Sequence, residues 1–131
     1  MFTLNINTSA RCQLVDITRD IESRLAAHGL SDGILVVFTP HTTSAITINE
    51  NADPDVQTDM NAFLSKLIPA AKEFRHYEGN SDSHIKSSLV GASETIIVEN
   101  GKMVLGTWQG IYFCEFDGPR QRKVYLKFIG S

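Results

Sequence analysis

The residues in this chain best suited to chemistry are three of its four histidines, His41, His76 and His84, and the acids and amides spaced among them. His41 follows Thr39-Pro40. His76 lies in the polar run Arg75-His76-Tyr77-Glu78-Gly79-Asn80-Ser81-Asp82-Ser83, and His84 comes directly after it. Imidazole nitrogens beside carboxylate oxygens suit a divalent cation such as zinc, or manganese where more oxygens join. The same groups can move protons on a phosphate ester. The spacing matches no compact metal signature such as HExxH, and three unrelated surface histidines would leave the same trace. His28, the fourth, reads as a cation at the C-terminal end of a helix dipole.

A second constellation closes the strand that follows His41. Residues Ser44 to Glu50 alternate, and then Glu50, Asn51, Ala52 and Asp53 gather acid and amide groups just before a helix. Such a corner at a helix N-terminus can hold a polar ligand. It can equally be a pair of caps, since Asp53 followed by Pro54 is a favoured N-cap and first-turn combination. A third stretch, Gly106 to Arg120, is dense in unusual types. Glycines flank Trp108-Gln109, so the backbone there bends or is closely approached. Cys114 sits between Tyr112 and Phe116 on one strand face and reads as a buried thiol; as a nucleophile it would need a base that its sequence neighbours do not supply. Arg120 can clamp a phosphate or carboxylate, or pair with Asp117.

The elements that must position these groups follow from periodicity. Phe2 to Ile6 alternates as a half-buried strand. Asp16 or Thr18 caps a helix whose Ile17, Ile21 and Leu25 recur on one face and which Gly29 ends. Gly33 to Thr39 is a nearly continuous apolar run, expected to be a central strand buried on both faces. Ile46 and Ile48 share one face of the next strand; Thr43, Thr47 and Asn49 share the other. From Pro54 the period changes, and Val56, Met60, Phe63, Leu64, Leu67 and Ile68 form a helical stripe expected in the core. After a long loop over residues 70–83, Ser83 is expected to cap a short helix, His84 to Val90, placing His84 in its first turn. Strands follow at Thr95 to Glu99, Lys102 to Trp108, Gly110 to Phe116 and Lys123 to Ile129, with a hairpin at Asn100-Gly101. This pattern predicts one α+β domain over residues 1–131, with mainly antiparallel sheets forming a β-sandwich, two main helices and one short helix.

Composition narrows the function classes. With 131 residues, 42% of them hydrophobic, the chain can build one core without disulfides. A net charge of -3 gives no electrostatic footprint for nucleic acid. No run approaches the roughly 20 apolar residues of a membrane span, and no signal peptide is expected at the N-terminus. Cys12 and Cys114 fit no CxxC spacing and read as free thiols in a reducing, cytoplasmic setting.

Three segments together carry a resemblance: HTTSAITINENADPDV at 41–56, RHYEGNSDSHIKSSLVG at 75–91 and GTWQGIYFCEFDGPR at 106–120. They resemble the YjbQ family of small proteins, described as secondary thiamine-phosphate synthases. The resemblance spans nearly the whole chain, with a shorter loop at 79–83 than in members carrying extra residues there. It implies an α+β sandwich assembled as a homotrimer, and a site near a subunit boundary lined by His41, Glu50, Asn51, Asp53, His76, His84 and Cys114. It also implies a side activity joining a pyrimidine pyrophosphate to a thiazole phosphate with release of pyrophosphate. The resulting assignment gives catalysis to His41, Asp53, His84 and Cys114, and ligand binding to Glu50, Asn51, Trp108 and Arg120. Metal ligation falls to His41, His76 and His84, with zinc, magnesium or manganese as the divalent ion and a phosphorylated small molecule as substrate. The alternatives are a trimeric metal- or metabolite-binding protein without efficient turnover, and a metal-dependent hydrolase.

Overall fold

The computed structural model describes residues 1–71 and 73–131. Two antiparallel sheets face each other. The larger has the order β1 (Phe2–Asn7), β8 (Gln121–Gly130), β3 (Gly33–Phe38), β5 (Ser93–Glu99) and β6 (Lys102–Met103). The smaller has β7 (Gln109–Glu115) between β2 (Gln13–Asp16) and β4 (Ser44–Glu50). Alternation sends Leu4, Ile6, Leu35, Val37, Ile96, Val98, Val124 and Leu126 of the large sheet against Ile46, Ile111 and Phe113 of the small one. Ile21 and Leu25 of helix α1 (Thr18–Ala27), with Ile17 just before it, complete this core. Asp16 anchors the helix start by accepting from the Thr18 backbone N–H at 2.9 Å.

Helices α2 (Pro54–Leu67) and α3 (Ser81–Val90) lie on the side of the small sheet away from this core. There Leu64 and Val90 pack on a small cluster of Ala45, Cys114 and Phe116. The Asn100-Gly101 hairpin forms as expected, with φ of 53° and 78° at its two corner residues.

Several expectations change. β3 is not buried on both faces: Leu35 and Val37 face the core, while Ile34 and Phe38 are exposed on the far side of the sheet. The strand buried on both faces is β7, covered by the large sheet on one side and by the helices on the other. The strand expected over Lys102 to Trp108 is only two residues long, and β2 is an additional four-residue strand. The apolar stripe of α2 is not core, since none of that helix's residues is buried. Helix α3 starts at Ser81 and has ten residues, as many as α1, so His84 lies at its fourth position. Ser83 does not cap it; its hydroxyl donates to the Phe116 carbonyl at 2.6 Å.

A candidate anion cleft of three histidines

The cleft is assembled where three connections meet helix α3 and the start of β8 at one end of the sandwich. His41 and Thr42 come from the β3–β4 connection. His76, Glu78 and Asn80 come from the segment before α3, and His84 from α3 itself. Asp117 and Arg120 come from the β7–β8 turn, and Arg122 begins β8. Together they line a space of about 440 Å³. The three sequence-predicted histidines therefore converge, although His41 and His84 lie 43 positions apart in the chain.

Beneath the cleft, one ion pair ties the two sheets together. Arg122 takes an inward slot on β8 ahead of Val124 and Leu126, and Glu115 takes one on β7 after Ile111 and Phe113. The pair is buried, and Arg122 Nε donates to Glu115 Oε1 at 2.8 Å while its Nη2 donates to Oε2. Nη2 also donates to Thr43 Oγ1 at 2.8 Å. Burial alone would raise the Glu115 carboxyl, but hydrogen bonds from Arg122, Thr8 and the Asp117 backbone N–H hold it below its usual range. A buried pair with this many partners keeps both members charged.

His41 sits over this base. Its Nε2 accepts from the Lys123 backbone N–H at 2.9 Å. Partial burial, and then the positive charge of Arg122, lower its pKa, with Glu115 opposing and Arg120 and Lys123 adding to the shift. A neutral ring accepting at Nε2 carries its proton on Nδ1, which makes it a hydrogen-bond donor. The His76 and His84 rings meet edge to face, with centroids 5.3 Å apart. Glu78 Oε2 lies 3.7 Å from His76 Nε2. Arg120 donates through Nε to the Asp117 carbonyl at 2.8 Å and through Nη2 to its carboxylate at 3.1 Å. Arg120 thus pairs with Asp117, and it also lines the cleft. Asn80 donates to the same Asp117 carboxylate at 2.7 Å, while its Oδ1 is buried without a partner among the described residues.

The remaining assigned residues lie elsewhere. Glu50, Asn51 and Asp53 sit at the far end of β4, roughly 20 Å from its start at about 3.3 Å per residue. There the Glu50 carbonyl accepts from Tyr112 OH at 3.0 Å, and the Asn51 N–H donates to the Trp108 carbonyl at 2.9 Å. The Asn51 side chain packs so closely on Gly110 that a Cβ there would lie 2.6 Å from Asn51 Nδ2, the close approach the flanking glycines suggested. Asp53 caps α2, accepting from the Asp55 N–H at 2.9 Å. Trp108 is exposed. Cys114 lies under the helices, and burial pushes its thiol up to about 12. Among the described residues no three His, Cys, Asp or Glu side chains are placed to hold a metal ion together. For His41, the Lys123 N–H already uses Nε2.

Sequence reasoning overlooked Glu115, Arg122, Asn80 and Asp117 as members of the cleft and its base. For the buried pair a signal existed: one acid and one base each occupy an inward slot of an otherwise apolar alternation.

The chain matches the family described as UPF0047 protein YjbQ-like over residues 2–131. A UPF0047 protein of Methanocaldococcus jannaschii is 58% identical over 131 residues, covering 100% of this chain and 95% of that protein. The UPF0047 protein YugU of Bacillus subtilis is 54% identical, covering 98% of each. A crystal structure of an uncharacterized conserved protein of this family from Clostridium acetobutylicum is 54% identical with a TM-score of 0.95, covering 98% of this chain and 100% of that one. A Sulfolobus solfataricus relative, described as a protein of unknown function, is 29% identical with a TM-score of 0.94, covering 99% and 96%.

Proposed function

The chain belongs to the UPF0047 YjbQ-like family, and on that footing we propose that the histidine cleft binds the phosphate end of a small phosphorylated molecule and moves protons there. The observation that carries this is the convergence of His41, His76, His84 and Arg120 on one open space. The Nδ1–H of His41 can donate to a phosphate oxygen, and Arg120 adds a cation half-exposed at the rim. Neutral imidazole beside a phosphate suits general acid-base work.

The narrower reading is group transfer from a pyrimidine pyrophosphate to a thiazole phosphate, releasing pyrophosphate; it rests on the resemblance alone. A divalent ion in this reading would arrive with the substrate's phosphate oxygens, as magnesium commonly does, because the chain offers no ligand set of its own among the described residues. A homotrimer is part of the same proposal. It would give the Glu50–Asp53 corner of one subunit a route to the cleft of another.

A second reading, binding without turnover, is favoured by the place of Cys114. That thiol lies outside the cleft and stays protonated at neutral pH. Calorimetric titration of pyrophosphate, with and without magnesium, separates these readings from chance proximity. His41→Ala, His76→Ala and His84→Ala are each expected to weaken binding about tenfold, the usual cost of one hydrogen bond to a charged group. His28→Ala should bind normally, since that ring stacks on Phe2 at the end of α1. Equal affinity in all four variants overturns the shared site. Release of pyrophosphate from the two-substrate mixture then distinguishes a transferase from a binding module.

A further inference from the structure

We propose that Cys12 and Lys86 form a redox-controlled covalent crosslink, an S–O–N bridge between the cysteine sulfur and the lysine nitrogen. The pair lies outside the histidine cleft, where the β1–β2 connection packs against the inner face of α3.

Lys86 is unusual for a lysine, being only 2% exposed. A buried ammonium ordinarily needs close, multiple hydrogen bonds. Its Nζ finds only distant neighbours among the described residues: Asp82 Oδ2 at 3.9 Å, Cys12 Sγ at 3.9 Å and the Phe116 ring centroid at 5.9 Å. Asp82 is already committed, because both its oxygens accept from Arg11 at 3.1 and 3.2 Å. Two cations thus share one carboxylate, and the hydrogen-bonding partner left for the amine is the thiol. Cys12 itself is partly exposed, so a small oxidant can reach the sulfur while the amine waits behind it.

The chemistry balances with dioxygen as the oxidant. The ammonium of Lys86 first gives one proton to solvent; the S–H bond of Cys12, one N–H bond of the resulting amine and the O–O bond then break, and S–O and O–N bonds form to one oxygen atom. The other oxygen leaves as water with the two hydrogens. Sulfur and nitrogen each give up two electrons, the four that dioxygen accepts. The bridge keeps its sulfur at the sulfenate level, on the reversible side of cysteine oxidation. Four electrons from two equivalents of dithiothreitol undo it: two cleave S–O to return the thiol, two cleave O–N to return the amine, and the bridging oxygen leaves as water. Once formed, it would pin α3, the helix carrying His84, to the β1–β2 connection.

The test is intact-mass and peptide mapping of the wild-type chain held in dioxygen-saturated buffer. The expected product gains one oxygen and loses two hydrogens. Its digest contains one peptide joining the Cys12 and Lys86 segments, and dithiothreitol restores the starting mass. Cys12→Ser and Lys86→Arg should each abolish the shift, while Cys114→Ser should keep it. An unchanged mass overturns the proposal. So do whole oxygens added to Cys12 without a joined peptide, or loss of two hydrogens alone. If Lys86→Arg fails to fold, the wild-type peptide map and Cys12→Ser still decide.

Discussion

Glu115 and Arg122 face each other across the two sheets, and that single pair supports the floor of the cleft. Removing one partner leaves the other charge buried and uncompensated, which typically costs about 3–5 kcal/mol. Glu115→Gln is therefore expected to lose that much stability in urea unfolding at neutral pH; a loss below about 1 kcal/mol would mean the arginine re-pairs elsewhere. The pH dependence has a definite sign. The folded carboxyl lies below its ordinary value of 4.5, so the unfolded chain binds its proton first as pH falls. The stabilisation is present above that value and declines as pH drops through the folded pKa. The Gln variant should lack this part of the acid limb. At this scale the sequence was legible for the histidines, whose residue type announces chemistry. It was opaque for Asn80 and Asp117, whose roles depend on a turn and a helix start that approach only in three dimensions. Asp53 was legible as a residue but ambiguous in role, because a cap and a ligand use the same carboxylate oxygens.

The two outer helices show why the elements were harder to read. Periodicity located α2 and capping signals located α3, but the rule that the apolar face is the core face misplaced the α2 stripe. Helix α2 buries none of its residues, and Phe63 is 63% exposed. Helix α3 buries Asp82, Ser83, Lys86 and Ser87 while Leu89 stands 59% exposed. It docks by polar contacts, in which Ser83 donates to Phe116 O and Asp82 accepts from Arg11 Nη1 at 3.1 Å. A helix with so little apolar burial depends heavily on its ends. For α2 the end is Asp53, and Asp53→Ala is expected to destabilise the helix by about 1 kcal/mol. Hydrogen exchange should show this as faster opening of Pro54–Leu67, with the core strands little affected. Asp53→Ser, which can still cap, should restore the protection. Pyrophosphate binding that fell in Asp53→Ser while protection returned would show that the carboxylate acts in the site and is more than a cap.

The apolar surface that the elements leave outside becomes intelligible only for the whole molecule. Ile34 pairs with Ile97 on one side and Ile129 on the other, so the three side chains form a row across the outer face of the large sheet. All three are exposed, Ile97 at 58%. A second apolar patch, with Phe63, Leu67 and Leu89, stands on the helices outside the small sheet. Sequence periodicity shows that a helix carries an apolar stripe but not what covers it, which is why the α2 stripe was misassigned. Two unlike patches on one chain suit head-to-tail contacts, which close into a ring when the rotation allows. A homotrimer is the assembly proposed here. Light scattering should then give three times the 14.5 kDa chain mass. Phe63→Lys on one patch and Ile97→Lys on the other should each shift the mass toward one chain, because a head-to-tail contact needs both surfaces. Far-UV circular dichroism should stay unchanged, since both side chains are largely in solvent within the subunit. A wild-type monomer at micromolar concentration sinks the trimer. A trimer indifferent to both substitutions would move its contacts to other surfaces and return these two patches to the list of unexplained exposure.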